Sequence, residues 1–190
     1  MTDPSPTLDE TPLRADAARN RERILTAADE VFLERGADAS LDDIAKRAKV
    51  GIGTLYRRFP TREALLGALC DERLLALAAN SRSRDDAMDP DASLRTFMIE
   101  LAMHASHYQG LAVLLGTVLK SHTTGCQAGR AEGERLLKRA QEAKVVSGTV
   151  SFDDLLCVIT AICLAVEQGG PTTSRVTHLV DLFLNGISVR

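Results

Sequence analysis

Apolar positions recur at i, i+3, i+4 and i+7 along most of this chain, the spacing of one buried helix face. The stretch Ser40 to Arg62 carries two such stripes in close succession, Leu41-Ile44-Ala45-Ala48 and Ile52-Leu55-Tyr56-Phe59. Only Lys49-Val50-Gly51 separates them, so two short helices must cross steeply through a tight turn, the helix-turn-helix arrangement. A helix before them starts near Asp16 and buries Ile24, Ala28, Val31 and Phe32, with Gly36 as a left-handed C-cap. Ser40 is placed to cap the second helix, in an approximate capping box with Asp43. Ile24, Phe32, Leu41, Ile44, Leu55 and Phe59 form the expected small core. Pro60 ends the third helix.

The pattern continues as a long fourth helix from Arg62 to about Asn80, a linker over Ser81 to Asp91, and a fifth helix capped by Asp91 or Ser93. Leu111 to Leu119 forms a sixth helix, His122 to Gly125 a loop, and Cys126 to Lys144 a seventh. The eighth, from Phe152 to Val166, is apolar on every side except Thr160. A helix apolar all round must be covered all round. Its own body covers one side and a second subunit the other, unless it is the central helix of a monomeric bundle. The ninth, Thr173 to Ile187, is amphipathic and flanks it. Leu155, Val158, Ile159, Ile162, Val166, Leu179 and Phe183 are therefore the expected dimer contacts. The expected organisation is all-α, with about nine helices. Residues 1–15 form a disordered tail, 16–62 a helix-turn-helix unit, and 63–190 a helical ligand-binding and dimerisation domain.

Composition supports helices: aromatics are 4% of the 190 residues, Trp is absent, and 45% are hydrophobic. The net charge of −3 argues against nucleic acid until its distribution is seen. Arg14 to Arg62 holds 11 basic and 8 acidic residues, a local excess of three positive charges on an otherwise acidic chain. The four cysteines lack metal-binding spacing, and three lie in apolar helical patterns, as buried thiols of a reducing cytoplasm would. Met1 to Asp16 has no apolar core of a signal peptide, and no apolar run approaches the roughly 20 residues of a membrane span. A soluble cytoplasmic protein without membrane partners is expected.

The exposed side of the third helix is small or basic, a surface able to enter a DNA groove. Gly51, Ile52 and Gly53 allow close backbone approach; Thr54 and Tyr56 offer hydroxyls to phosphate, Tyr56 alternatively being half-buried. Arg57 and Arg58 can donate to guanine or phosphate, Ser40 joins them among the expected DNA contacts, and Arg62 adds a cation at a helix N-terminus. Arg19, Arg21 and Arg23 are either phosphate contacts or solvated surface, as are Lys46 and Lys49; Arg47 reads as solvated. Gly51-Ile52-Gly53 lacks the third glycine and preceding strand of a nucleotide loop. His104 and His107 share a helix face without a third ligand, so they read as polar groups near a cavity. Met98, Leu101, Met103, Tyr108 and Cys126 either line it with them or fill the core. No metal, cofactor or catalytic constellation is expected. A helical metalloenzyme using the two histidines is the rival reading.

The segment Arg19 to Ala68 resembles the TetR family of bacterial transcriptional regulators, through RERILTAADEVFLERGADASLDDIAKRAKV, GIGTLYRRF and PTREALLGAL. The family usually has Ser where this chain has Gly51 and Lys where it has Arg62. The resemblance implies an all-helical homodimer joined by its last two helices, with a ligand domain that varies widely. It places Thr54, Tyr56 and Arg62 at phosphates, and Ile52, Gly53 and Arg57 near bases. The expectation is a repressor of an inverted-repeat operator, released by an unknown small molecule. A regulator without effector, or an activator, is the alternative.

Overall fold

The computed structural model describes residues 11–84, 87–120, 123–167 and 173–188, with side chains from Asp16 onward. Its helices are α1 (Thr11–Arg35), α2 (Leu41–Arg47), α3 (Ile52–Arg58), α4 (Arg62–Ser83) and α5 (Pro90–Ala105). They continue with α6 (Leu111–Leu119), α7 (Thr124–Glu142), α8 (Phe152–Glu167) and α9 (Thr173–Ile187). Among the described residues the only strand-like pairing is an isolated bridge between Val146 and Ser188. The protein is all-α.

α1 begins at Thr11, five residues before the expected start; the remainder of the expected tail lies outside the described residues. α4 runs on to Ser83, shortening the expected linker, of which residues 85 and 86 are not described. α5 starts at Pro90 because Asp89, not Asp91 or Ser93, supplies the cap: its Oδ1 accepts from Ala92 N at 2.8 Å. Thr123 caps α7 in the same way, so the expected loop ends there; residues 121 and 122 are not described.

The first three helices close over Ile24, Phe32, Ile44, Leu55 and Phe59, all buried, with Leu41 partly so. Ile52 and Tyr56 depart from the expected stripe: they are 37% and 49% exposed. A seven-residue helix makes about two turns, and here only Leu55 of α3 points inward, with Phe59 just past its end. The turn before α3 passes through Lys49 at φ 53°, a left-handed conformation.

α4 leaves this unit and packs along α7. Their contact is close enough that a Cβ on Gly125 would lie 2.0 Å from the Asp71 carbonyl oxygen. Farther along, the fully buried Glu132 of α7 accepts from Ser81 Oγ at 2.7 Å, Arg82 Nε at 3.0 Å and Arg135 Nη2 at 2.8 Å. Burial alone would raise this carboxyl, but hydrogen bonds from Arg135, Ser81 and Arg82 outweigh it and hold its pKa at about 2. α5, α6, α8 and α9 complete the body.

α8 is covered on the side of Leu155, Ile159, Ile162 and Val166, four of the expected dimer contacts, which are buried within the subunit. α5, α6 and α9 pack there. Its exposed side is Cys157, Ala161, Leu164 and Ala165, with Val158 half-buried. On α9, Leu182 is exposed beside the half-buried Leu179 and Phe183. Cys70, Cys126 and Cys163 are buried thiols and Cys157 an exposed one.

Candidate nucleic-acid interface and its tie to the body

Ser40 caps α2, its Oγ accepting from Asp42 N at 3.2 Å. The other half of the expected capping box is redirected, because Asp43 pairs with Arg35 at 2.6 Å. Arg47 forms a fork on Glu34 at 2.6 and 3.0 Å, and lies 3.6 Å from Glu30. The hydrogen bond lowers the Glu34 carboxyl and raises Arg47. These exposed pairs use up charge on the α1–α2 face, and Arg47 is an ion-pair partner rather than a solvated cation.

α3 stands differently. Gly51, Ile52, Gly53, Tyr56, Arg57 and Arg58 are all exposed on it, and Thr54 is half-buried. A Cβ at Gly51 or Gly53 would meet nothing within 4 Å, so the helix start is open to close approach. Arg57 Nη2 donates to Thr54 Oγ1 at 3.2 Å, which steadies the guanidinium along the exposed face. Arg21, Asn20 and Asp16 of α1 line one cleft with Thr54, Arg57 and Arg58 of α3. Of Arg19, Arg21 and Arg23, Arg21 therefore joins the α3 surface. Arg19 pairs with Asp16, and Arg23 donates to the Lys49 carbonyl at 3.0 Å, holding the turn.

Arg62, the expected phosphate clamp, is engaged within the protein. Its Nη1 donates to the Ala37 and Ala39 carbonyls at 2.7 and 2.5 Å, so it ties the start of α4 to the α1–α2 loop. The sequence shows a cation at a helix start. It does not show the carbonyls folded back onto it from more than twenty positions earlier.

The same loop is gripped from the other side by the turn between α5 and α6. Ala37 N donates to the Gln109 carbonyl at 2.7 Å. Gly36 sits at φ 82°, where a Cβ would be 2.9 Å from that carbonyl oxygen. Tyr108 is buried and its hydroxyl donates to Asp29 of α1. Burial and then this bond push the phenol well above its usual range. Its ring lies 6.0 Å from Phe32 and 4.7 Å from His107 between centroids, and the Arg73 guanidinium carbon sits 5.5 Å above it. Gly110 N donates to Glu167 of α8 at 3.0 Å, which continues the path to the end of α8.

A cavity of 10 Å³, barely room for one water molecule, lies between α4, α5 and α6. Leu101 and His104 line it, beside Arg73 and Cys70. Met98 and Cys126 are fully buried core residues, Tyr108 turns to α1, and His107 is exposed. Burial, then the Arg73 charge, lowers both His104 and His107. Among the described residues no three His, Cys, Asp or Glu converge as metal ligands, and no helix is long and apolar enough to cross a membrane.

Comparisons with known proteins meet this geometry from both ends of the chain. Residues 24–69 match the family described as bacterial regulatory proteins, tetR family. Residues 89–189, more than half the chain, match the C-terminal domain described as transcriptional regulator SbtR-like. The transcriptional regulator SCO0520 of Streptomyces coelicolor is similar over 88% of this chain and 98% of its own, at 31% identity and a TM-score of 0.53. The regulator SAR0097 of Staphylococcus aureus is 42% identical over 64 residues, 32% of this chain and 33% of its own length. The repressor Rv3405c of Mycobacterium tuberculosis is 49% identical over 49 residues, covering 25% of this chain and 26% of that protein. The chain thus spans a third or less of the length of these two curated relatives. With an exposed helix-turn-helix at one end and a matching helical domain at the other, this chain belongs to the TetR family of bacterial transcriptional regulators, proteins that bind DNA through that motif.

Proposed function

We propose that the protein is a homodimeric repressor that acts in the cytoplasm on an inverted-repeat operator and is released by a small-molecule effector. The observation that carries it is the exposed, side-chain-poor and basic face of α3, Gly51 to Arg58, on a unit where Arg19, Arg35 and Arg47 are each paired with a carboxylate. Residues 16–62 form the DNA-binding unit in this reading, and 63–190 the ligand-binding and dimerisation domain. Ile52, Gly53 and Arg57 approach bases, whereas Thr54, Tyr56 and Arg58 hold phosphates. The outward stripe of α8, with Leu164 40% exposed, and Leu182 of α9, 57% exposed, supply the apolar surface for a second copy. Two such copies set their α3 helices in successive major grooves, about 34–36 Å apart. The repressor assignment draws support from the resemblance to the repressor Rv3405c, 49% identical over 49 residues.

Selection of bound duplexes from a random pool tests the reading directly. An inverted repeat with half-sites about one helical turn apart is expected. Enrichment of no sequence, or of a single half-site by a monomer, defeats it. Replacing Arg57 with Ala should relax the selected sequence, while Arg58→Ala should weaken all sequences alike.

A further inference from the structure

We propose that Ile52 selects a thymine in each half-site by packing its side chain on the 5-methyl group of that base. The inference rests on the proposed approach of α3 to bases and adds to it the base that is chosen and the atom that is read.

The fold has no use for Ile52 where it stands. It is the first residue of α3 and 37% exposed, while Val50 before it and Leu55 after it pack against the core. Gly51 and Gly53 on either side present no side chain, and a Cβ on either would meet nothing within 4 Å. The branched alkyl group therefore stands forward alone at the leading end of the helix. Leu33 and Val113 are more exposed still, and isolated apolar side chains are ordinary on a protein surface. Ile52 differs because it shares the open face of Arg57 and Arg58 on a helix that holds no acidic residue.

The chemistry of the groove names the partner. Base edges in the major groove carry hydrogen-bond donors and acceptors and one apolar group, the 5-methyl of thymine. An alkyl side chain laid on the edge of guanine, adenine or cytosine strips water from polar atoms and gives them no partner. Laid on the thymine methyl, it takes apolar surface of both groups out of water. The glycines on both sides let this happen at close range, since a longer side chain at 51 or 53 would hold the backbone off the base edges.

Duplexes selected by the full chain supply the test. Deoxyuridine differs from thymidine only by the missing 5-methyl group. Each thymine of the bound site is replaced by it in turn, and affinity is measured by competition. One position, the same in both half-sites, should lose about three- to fivefold, the value of one buried methyl, and about tenfold or more when both half-sites carry the change. In Ile52→Ala that loss should shrink to less than about twofold at this position and stay as in the wild type at every other thymine. Ile52→Val should lie between, and both variants should melt like the wild type, because the side chain they shorten is outside the core.

A selected half-site without thymine, no loss with deoxyuridine at any position, or a loss that persists unchanged in both Ile52→Ala and Ile52→Val overturns the proposal. So does an equal weakening of all duplexes by Ile52→Ala with no dependence on the methyl, which would place the side chain on sugar. Failure to select any duplex defeats the regulator reading itself, whereas tight selective binding that ignores the methyl defeats only the assignment of Ile52.

Discussion

α4 is held at its two ends by different physics. At its start, Arg62 and the α1–α2 loop meet through hydrogen bonds at partly exposed sites, reinforced by Ala37 to Gln109 and Tyr108 to Asp29. Toward its end, backbone lies directly on backbone at Gly125, and a wholly buried carboxylate is closed in by Ser81, Arg82 and Arg135. Polar contacts near water can be exchanged for others at small net cost, whereas a packed backbone contact or a desolvated charge cannot. The difference teaches which end of the helix can move: the DNA-facing end is adjustable and the α7 end is an anchor.

Breaking the anchor should have the largest effect. Gly125→Ala places a Cβ where the Asp71 carbonyl now stands, so the two helices must separate. A loss of about 4 kcal/mol or more, or no cooperative melting at all, is expected in thermal unfolding. A melting temperature within a few degrees of wild type would show that α4 and α7 are not so closely seated.

Glu132 comes next. Its folded pKa of about 2 lies below the unfolded 4.5, so its stabilisation is fully present above pH 5 and is lost as pH falls toward 2. The loss is on the order of 3 kcal/mol, with the unfolded form binding the proton more readily. Glu132→Gln should be less stable at neutral pH and show a flatter stability profile between pH 5 and 2. Parallel profiles in denaturant melts would remove the carboxylate from the anchor.

At the adjustable end the effects shrink. Arg62→Ala removes two donors to carbonyls and should cost about 1.5–3 kcal/mol, while weakening every DNA sequence to a similar degree. A change in sequence preference, measured by competition binding, would return Arg62 to the DNA surface. Smallest of all, Arg47→Ala breaks an exposed fork on Glu34 and should leave the melting temperature unchanged within error. A clear drop would mean that the α1–α2 face is held by charge after all.

The pattern of apolar positions was a good guide wherever a helix has one wet and one dry side. α6 and α9 begin and end where the periodicity places them, and the helix-turn-helix stands at Ser40 to Phe59. It failed where periodicity carries no direction. In α8 nearly every side is apolar, so spacing cannot say that Leu155 and Ile159 face inward and Ala161 and Leu164 outward. In α3 the helix is too short for four stripe positions to share a face, and Ile52 and Tyr56 are left outside. Arg62, Asp29 and Tyr108 were hidden for another reason: each is defined by a partner distant in sequence, and a lone residue type does not name its partner.

The bare Cα of Gly36 against the Gln109 carbonyl has a consequence for protein engineering. A hybrid regulator that grafts this DNA-reading head onto another body cannot be cut at the end of α3 alone. The graft must bring Gly36, Arg62 and Asp29 on one side, and meet a turn offering a free carbonyl and a tyrosine hydroxyl on the other. Portability is thus set by the fit of a seam rather than by the head, and heads whose seam residues match should be interchangeable even where their reading helices share nothing.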